Sequence, residues 1–306
     1  MTGTDLFVVA PEVADAVAAG RPVVALESTI VSHGLPRPDN LLVAREVEAV
    51  VRERGAAPGT IAVVDGVVRV GLDDGQLETI ATSDEVVKVS TRDLATVVAR
   101  GGHGATTVAA SAHLAAGAGI ALFATGGLGG VHRDARDTWD ESADLVELSR
   151  TQIAVVCAGV KSILDVAATL ERLESLGVAV LGYGTDRFPG FYLSDSGHAV
   201  DWQVGTAAEV ADVVRARAAL GTDGQALVVA QPLPPDLQVD PALHDRLIAE
   251  ALTAAAELGV HGKDVTPFLL ERLHRDSGGA TLTANVHIIK RNAALAAEVA
   301  VALAER

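Results

Sequence analysis

The chain has 306 residues, 49% hydrophobic but only 3% aromatic, with a formal charge of −16. That length suits one large α/β domain or two small ones, with a core built from Ala, Val and Leu. The charge argues against general binding to nucleic acid or to an anionic membrane, because both attract basic surfaces; an anionic small molecule stays open, since local cations override the overall field.

In chain order, residues 11–20 read as a short helix introduced by Pro11. Before it, Met1-Thr2-Gly3-Thr4-Asp5 lacks the basic start of a signal peptide, and no apolar run reaches the length of a membrane span. A soluble cytoplasmic protein is the expectation. Pro22 to Leu26 is a continuous apolar run, as in a strand covered on both faces. Glu27-Ser28-Thr29 and a loop over 32–38 follow it, then a helix capped by Asp39 or Asn40. Thr60–Val64 and Val67–Val70 form a hairpin across Asp65-Gly66. A helix near 76–81, a strand at 86–89 and a helix over 93–100 come next, and Gly101-Gly102-His103-Gly104 ends that helix. Residues 106–116 read as an alanine-rich helix and 120–125 as a buried strand, which opens into Gly126-Gly127-Leu128-Gly129-Gly130 and a polar loop through Asp144.

A strand at 153–158 then leads through Gly159 into a helix from Ser162 to about Leu176. It carries the one cysteine, Cys157, which excludes an internal disulfide and suits a reducing compartment. Strands at 178–181 and 226–230 flank a helix at 207–220, and the chain is helical from about 242, with breaks near 259–262 and 278–279. Strands alternating with helices define an α/β protein, here read as one domain over 1–306, with a mainly parallel sheet and a helical C-terminal region.

Ligands of open α/β sheets bind beyond the carboxyl ends of the strands. Polar residues follow nearly every apolar strand here: Glu27, Lys88, Thr125, Lys161, the run Gly182–Asp186 and Gln231. Lys161 is one of only four lysines, with Lys88, Lys263 and Lys290, beside 20 arginines. An amine in a dry site can lose its proton and attack a carbonyl carbon, which a guanidinium cannot. The competing reading is a lysine that snorkels to solvent. Glu27 is either a buried general acid with a raised pKa or a solvated strand-end carboxylate. The loop from His132 to Asp144 holds five acidic residues, enough oxygen donors for a hard divalent cation, although an acidic loop is more often solvated and Ser142 or Asp144 can equally cap a helix. The glycine run lacks both Rossmann spacing and a Walker lysine.

Longer motifs carry a resemblance. Val24 to Gly34, Lys88 to Leu94, Gly104 to Ala109, Phe123 to Arg133, Asp140 to Leu145, Cys157 to Asp165 and Gly262 to Leu270 together resemble the pseudouridine-5′-phosphate glycosidases, a family that includes indigoidine synthase A-like proteins. The resemblance implies a three-layer α/β/α fold and reversible cleavage of pseudouridine 5′-phosphate to uracil and ribose 5-phosphate. It implies a divalent cation, manganese, and a homotrimer. It places Lys161 on the Schiff-base lysine, Glu27 on the proton donor and Asp140 on the metal ligand. Lys88, Val108, Ser142, Ala143 and Asp144 fall on substrate-binding positions, with Thr125, His132 and Asn285 in the pocket, and Asp144 is given a proton to pass to the uracil carbon. Glu141 departs from the pattern, which has an apolar residue there. A related N-glycosidase, a phosphosugar lyase or a non-catalytic sugar-phosphate-binding protein is the alternative.

Overall fold

The computed structural model describes residues 6–260 and 265–305. The N-terminal pentapeptide and the segment 261–264, with Lys263 and the start of the last motif, lie outside the described residues. The strands are β1 (Phe7–Val9), β2 (Val23–Leu26), β3 (Ala57–Val64), β4 (Val67–Val70), β5 (Val87–Val89), β6 (Gly104–Thr106), β7 (Leu122–Ala124), β8 (Ala154–Cys157), β9 (Ala179–Tyr183), β10 (Gln203–Val204) and β11 (Leu227–Ala230). All join one sheet of order β1-β4-β3-β2-β7-β8-β11-β9-β10, with β5 and β6 branching from β3. From β3 to β10 every pairing along that order is parallel, whereas β3 runs antiparallel to β4 and to β6.

Strand side chains alternate, so each strand feeds two cores. Val23, Ala25, Val155, Cys157 and Val228 face one core with α1 (Pro11–Ala18), α5 (Val108–Gly117), α7 (Ala143–Leu148) and α8 (Val166–Ser175). Val24, Leu26, Val156, Leu227 and Val229 face the other, covered by α2 (Asp39–Glu53), α9 (Ala207–Leu220) and α12 (Ala280–Ala304). Helix, sheet and helix thus form three layers, and strands buried on both faces explain the unbroken apolar runs of the sequence. A third core gathers Val160, Phe188, Phe191 and Tyr192 with α10 (Pro241–Glu257) and α11 (Val265–Asp276) beyond the strand ends. The remaining helices, α3 (Asp74–Thr82), α4 (Leu94–Ala99) and the short α6 (Ala135–Thr138), lie in the β3–β7 half and its loops.

Several local expectations change. Residues 30–34 of the expected loop form a π-helical turn. Neither Asp39 nor Asn40 caps α2: Pro38 holds that position, and Asn40 is buried, donating to the carbonyls of Val31 and Ala81. Gly104–Thr106 is a strand, because β3 and β5 offer it partners on both sides, and α5 begins only at Val108, capped by Thr107. The helix expected from Ser162 starts at Val166, where Asp165 accepts a hydrogen bond from the Ala168 amide. The strands β1 and β10, three and two residues long, are too short to leave a periodic signal.

Candidate active site

The site forms where β2, β7 and β8 end. Glu27 continues straight from β2 and is 7% exposed. Its neighbour Ser28 donates to the Ile61 carbonyl and accepts from the Thr106 amide, a buried polar joint that fixes the end of β2 against β3 and β6. Lys88 on β5 pairs in register with Ala105 on β6, so that joint also sets Lys88 relative to Glu27. On the other side Thr125, wholly buried, donates its hydroxyl to a Glu27 carboxylate oxygen.

Past the strand ends, the glycine turn after β7 runs alongside the segment after β8. The Leu128 amide donates to the Gly159 carbonyl at 2.9 Å, and the Lys161 amide donates to the Leu128 carbonyl at 3.0 Å. Two strands that end at 124 and 157 thereby continue as a parallel bridge between Leu128 and Val160, and Lys161 is the next residue. Gly159 has φ +85, and a Cβ there would meet the Pro189 carbonyl oxygen at 2.3 Å, so both conformation and space require glycine.

Asp144, in the first turn of α7, is 5% exposed and anchored by two backbone donors. The Ala109 amide reaches one oxygen at 2.9 Å and the Gly129 amide the other at 2.8 Å. A Cβ on Gly129 would sit 2.2 Å from the Ser142 hydroxyl oxygen and 2.6 Å from Asp144 Oδ2. That glycine therefore lets the turn approach the carboxylate, which is a stricter role than binding an anion. Ser142 caps α7 through the Asp144 amide, as one of the sequence readings had it. Ala143 is exposed beside it, and Val108 buries its side chain, leaving only backbone for a ligand.

Electrostatics tie these groups together. Burial raises the Glu27 carboxyl above its ordinary value, while Lys161, the Thr125 hydroxyl and Lys88 pull it back and Asp144 pushes it further up. Lys88 keeps a solvent-exposed surface, yet the protein around it, and then Lys161, lower its pKa against the pull of Asp144 and Glu27. Glu27 and Lys88 thus lie within each other's field and within the fields of Asp144 and Lys161. Cys157 is buried, its thiol pushed up to about 12 chiefly by burial, and it serves as core.

Asn285 on α12 is 5% exposed, its Oδ1 has no hydrogen-bond partner among the described residues, and Gly126 faces it: a Cβ there would lie 3.5 Å from that oxygen. Two helical turns on, Asn292 donates to the Thr125 carbonyl at 2.8 Å. Sequence reasoning missed Asn292; the signal was a second asparagine, seven residues from the first and so on the same face of the helix. It also passed over His33 on the π turn, whose pKa is lowered by burial and then by Lys88.

The acidic loop does not converge into a cage. Among the described residues no group of three or more His, Cys, Asp or Glu side chains is placed to hold a metal. Asp134 and Asp137 are exposed, Asp144 is taken by backbone amides, and Glu141 pairs with Arg172 at 2.9 Å. Asp140 remains, half-buried, with His132 Nδ1 at 3.9 Å and the His132 amide on its carbonyl. One carboxylate of this kind fits a hard cation that keeps most of its waters. Trp139, next to Asp140, is 87% exposed with φ +60, and the other tryptophan, Trp202, is 71% exposed.

Fold and site together define a class: an α/β/α protein whose lysine and carboxylates meet beyond the carboxyl ends of a parallel sheet. The family model described as indigoidine synthase A like protein matches residues 12–302, and the chain belongs to that family. A protein of Salinispora tropica named pseudouridine-5′-phosphate glycosidase is 61% identical over 295 residues, covering 96% of this chain and 91% of that one. One of the same name from Streptomyces griseus subsp. griseus is 58% identical over 305 residues, covering 99% and 94%. Among solved structures, the prealnumycin C-glycosynthase AlnA, in complex with ribulose 5-phosphate, superposes with a TM-score of 0.90 at 37% identity, covering 98% of this chain and 97% of that one. An indigoidine synthase A-like protein of Thermotoga maritima gives 0.90 at 34%, covering 100% and 99%. No helix among the described residues is long and apolar enough to cross a membrane.

Proposed function

We propose that this chain is a pseudouridine-5′-phosphate glycosidase, reversibly cleaving the carbon–carbon glycosidic bond to give uracil and ribose 5-phosphate. The names of its relatives support the activity, and the pentose phosphate in the AlnA complex supports the sugar class. The observation that carries the chemistry is the meeting of Lys161 and Asp144 with both Glu27 and Lys88.

The scissile bond joins two carbons, so the leaving group has no glycosidic heteroatom to protonate. An amine that adds at the sugar C1′ solves this by opening the ring and holding the sugar as an imine. In this reading Glu27, whose proton burial holds more tightly than usual, gives that proton to the ring oxygen as Lys161 bonds to C1′. Asp144, oriented by the amides of Ala109 and Gly129, takes the proton that the Lys161 nitrogen sheds after bonding to C1′ and passes it to the uracil carbon as the carbon–carbon bond breaks and the imine forms. Water then releases ribose 5-phosphate from the lysine. Lys88, with Ser142 and the backbone at Val108 and Ala143, is proposed to hold the phosphate and sugar, and Thr125, His132 and Asn285 to line the pocket. Asp140 is proposed to hold a divalent cation such as manganese through one carboxylate and water. Such a cation neutralises phosphate charge and orients the substrate when bound. A homotrimer in the cytoplasm is the proposed setting.

The test is incubation with pseudouridine 5′-phosphate and manganese, followed by borohydride reduction and mapping of the adduct. Uracil release with the adduct on Lys161 is expected. Absence of uracil, or an adduct on another lysine, overturns the reading.

A further inference from the structure

The residue at the centre of this site stands on irregular backbone. Strand β8 ends at Cys157 and α8 starts at Val166, so residues 158–165 must find their partners outside regular structure. Three do so against the glycine turn and the residue after it: Ala158 donates to Gly126, Lys161 to Leu128, and Asp165 to Val131. The next two residues after Lys161 are buried, with Ser162 4% and Ile163 2% exposed, and buried backbone carbonyls require donors. The side chain of Arg133 meets both. Its Nε donates to the Ile163 carbonyl at 3.2 Å and one terminal nitrogen to the Ser162 carbonyl at 3.1 Å.

Arg133 is also the residue after His132, on the loop that carries Asp140. That loop leaves the glycine turn and returns to it, the Ser142 amide donating to the Gly130 carbonyl. Along its length it is docked on the lysine segment and on α8. Val131 bridges Asp165 and donates its amide to the Thr169 hydroxyl oxygen, and Glu141 pairs with Arg172. The Glu141–Arg172 pair is exposed, where ion pairs contribute little, whereas Arg133, itself partly in solvent, makes two charge-assisted bonds to the carbonyls of buried residues. The planar fork of a guanidinium suits two successive carbonyls; an ammonium supplies a point charge for one.

We infer that Arg133 is a positioning residue for the nucleophile: it clamps the backbone just after Lys161 to the His132–Asp140 loop, so the two sides of the site keep one spacing. This inference rests on the proposed role of Lys161, and its test separates the two. Amide exchange followed by mass spectrometry reads the clamp alone. In Arg133→Ala, peptides spanning 159–165 are expected to exchange at least tenfold faster, with β8 and the body of α8 unchanged, and in Arg133→Lys by an intermediate amount. Borohydride trapping with ribose 5-phosphate reads the consequence. The maximal trapping rate is expected to fall at least tenfold in Arg133→Ala, with the half-saturating sugar concentration within twofold and partial recovery in Arg133→Lys. Wild-type exchange across 159–165 in Arg133→Ala overturns the clamp. If that variant does not fold, wild-type exchange in Arg133→Lys overturns it. Faster exchange with unchanged trapping, or rate and half-saturation worsening equally, overturns the positioning role. Failure of the unmodified protein to trap the sugar overturns the function of Lys161 and leaves the exchange result to decide the clamp.

Discussion

The hydroxyl of Thr125 donates to the carboxylate of Glu27, joining the ends of two neighbouring parallel strands at a point that water hardly reaches. This bond and Lys161 both favour the ionised carboxylate, but burial outweighs them and the pKa stays above its ordinary 4.5. The folded state therefore holds this proton more tightly than the unfolded state does. Below about pH 4.5 both states are protonated and nothing is lost; as pH rises towards the elevated value, the unfolded carboxyl ionises freely and stability falls. Glu27→Gln is thus expected to lose most activity yet be more stable than the parent at pH 7. Urea unfolding at pH 7 and nearer pH 4.5 checks this, with the gain shrinking at the lower pH. A variant less stable than the parent at pH 7 would sink the argument.

Gly129→Ala tests the closeness of the turn to Asp144. The added methyl would lie 2.2 Å from the Ser142 oxygen and 2.6 Å from Asp144 Oδ2, so one wall has to move. A fall in kcat of about a hundredfold is expected, the scale on which misplaced catalytic groups lose rate. Overpacking should also cost about 1–3 kcal/mol. Steady-state kinetics and thermal melts measure both, and near-parental kcat would count against a fixed Asp144.

Adjacent carboxylates at 140 and 141 should behave oppositely. Glu141 is engaged by Arg172, while the Asp140 carboxylate lies 3.9 Å from His132 Nδ1 and pairs with no arginine or lysine among the described residues. Chelation of divalent cations is expected to suppress turnover and added manganese to restore it. Asp140→Asn should raise the manganese concentration for half-maximal activity by about tenfold or more, the low end for loss of a metal contact. Glu141→Ile should leave that concentration within about twofold, as expected for an exposed ion pair. Equal effects at the two positions would refute the distinction.

Cys157 should be inert in the folded protein. With no exposed surface and a thiol pushed up to about 12, it offers almost no thiolate at pH 8. Alkylation is expected only as fast as the chain unfolds, so denaturant should accelerate it steeply. Rapid labelling without denaturant would contradict the packing of β8.

Much of this was legible in the chain. Strands buried on both faces print unbroken apolar runs, so β2, β7, β8 and β11 and the polar residues after them stand out. Glu27, Thr125 and Lys161 are readable for that reason. What stays hidden depends on partners distant in sequence. Gly104–Thr106 is a strand only because β3 and β5 flank it, and Lys161 precedes four more irregular residues because Leu128, Val131 and Arg133 satisfy the backbone there. Composition marked the 132–144 loop as acidic, but charge density says nothing about direction. Only folding divides its carboxylates among Arg172, two amides and His132.

Helix α12 lies across β2, β7 and β8 and against α2 and α9, and its asparagines reach the site. During synthesis β2 leaves the ribosome long before α12 exists. Val24 and Leu26 therefore wait, only partly covered by α2 on that face, until nearly the whole described chain has been made. Contacts so far apart in sequence form slowly. Growing chains should consequently be prone to aggregate and in need of a chaperone, and activity should appear late and abruptly, when the last helix closes the layer that the second strand began.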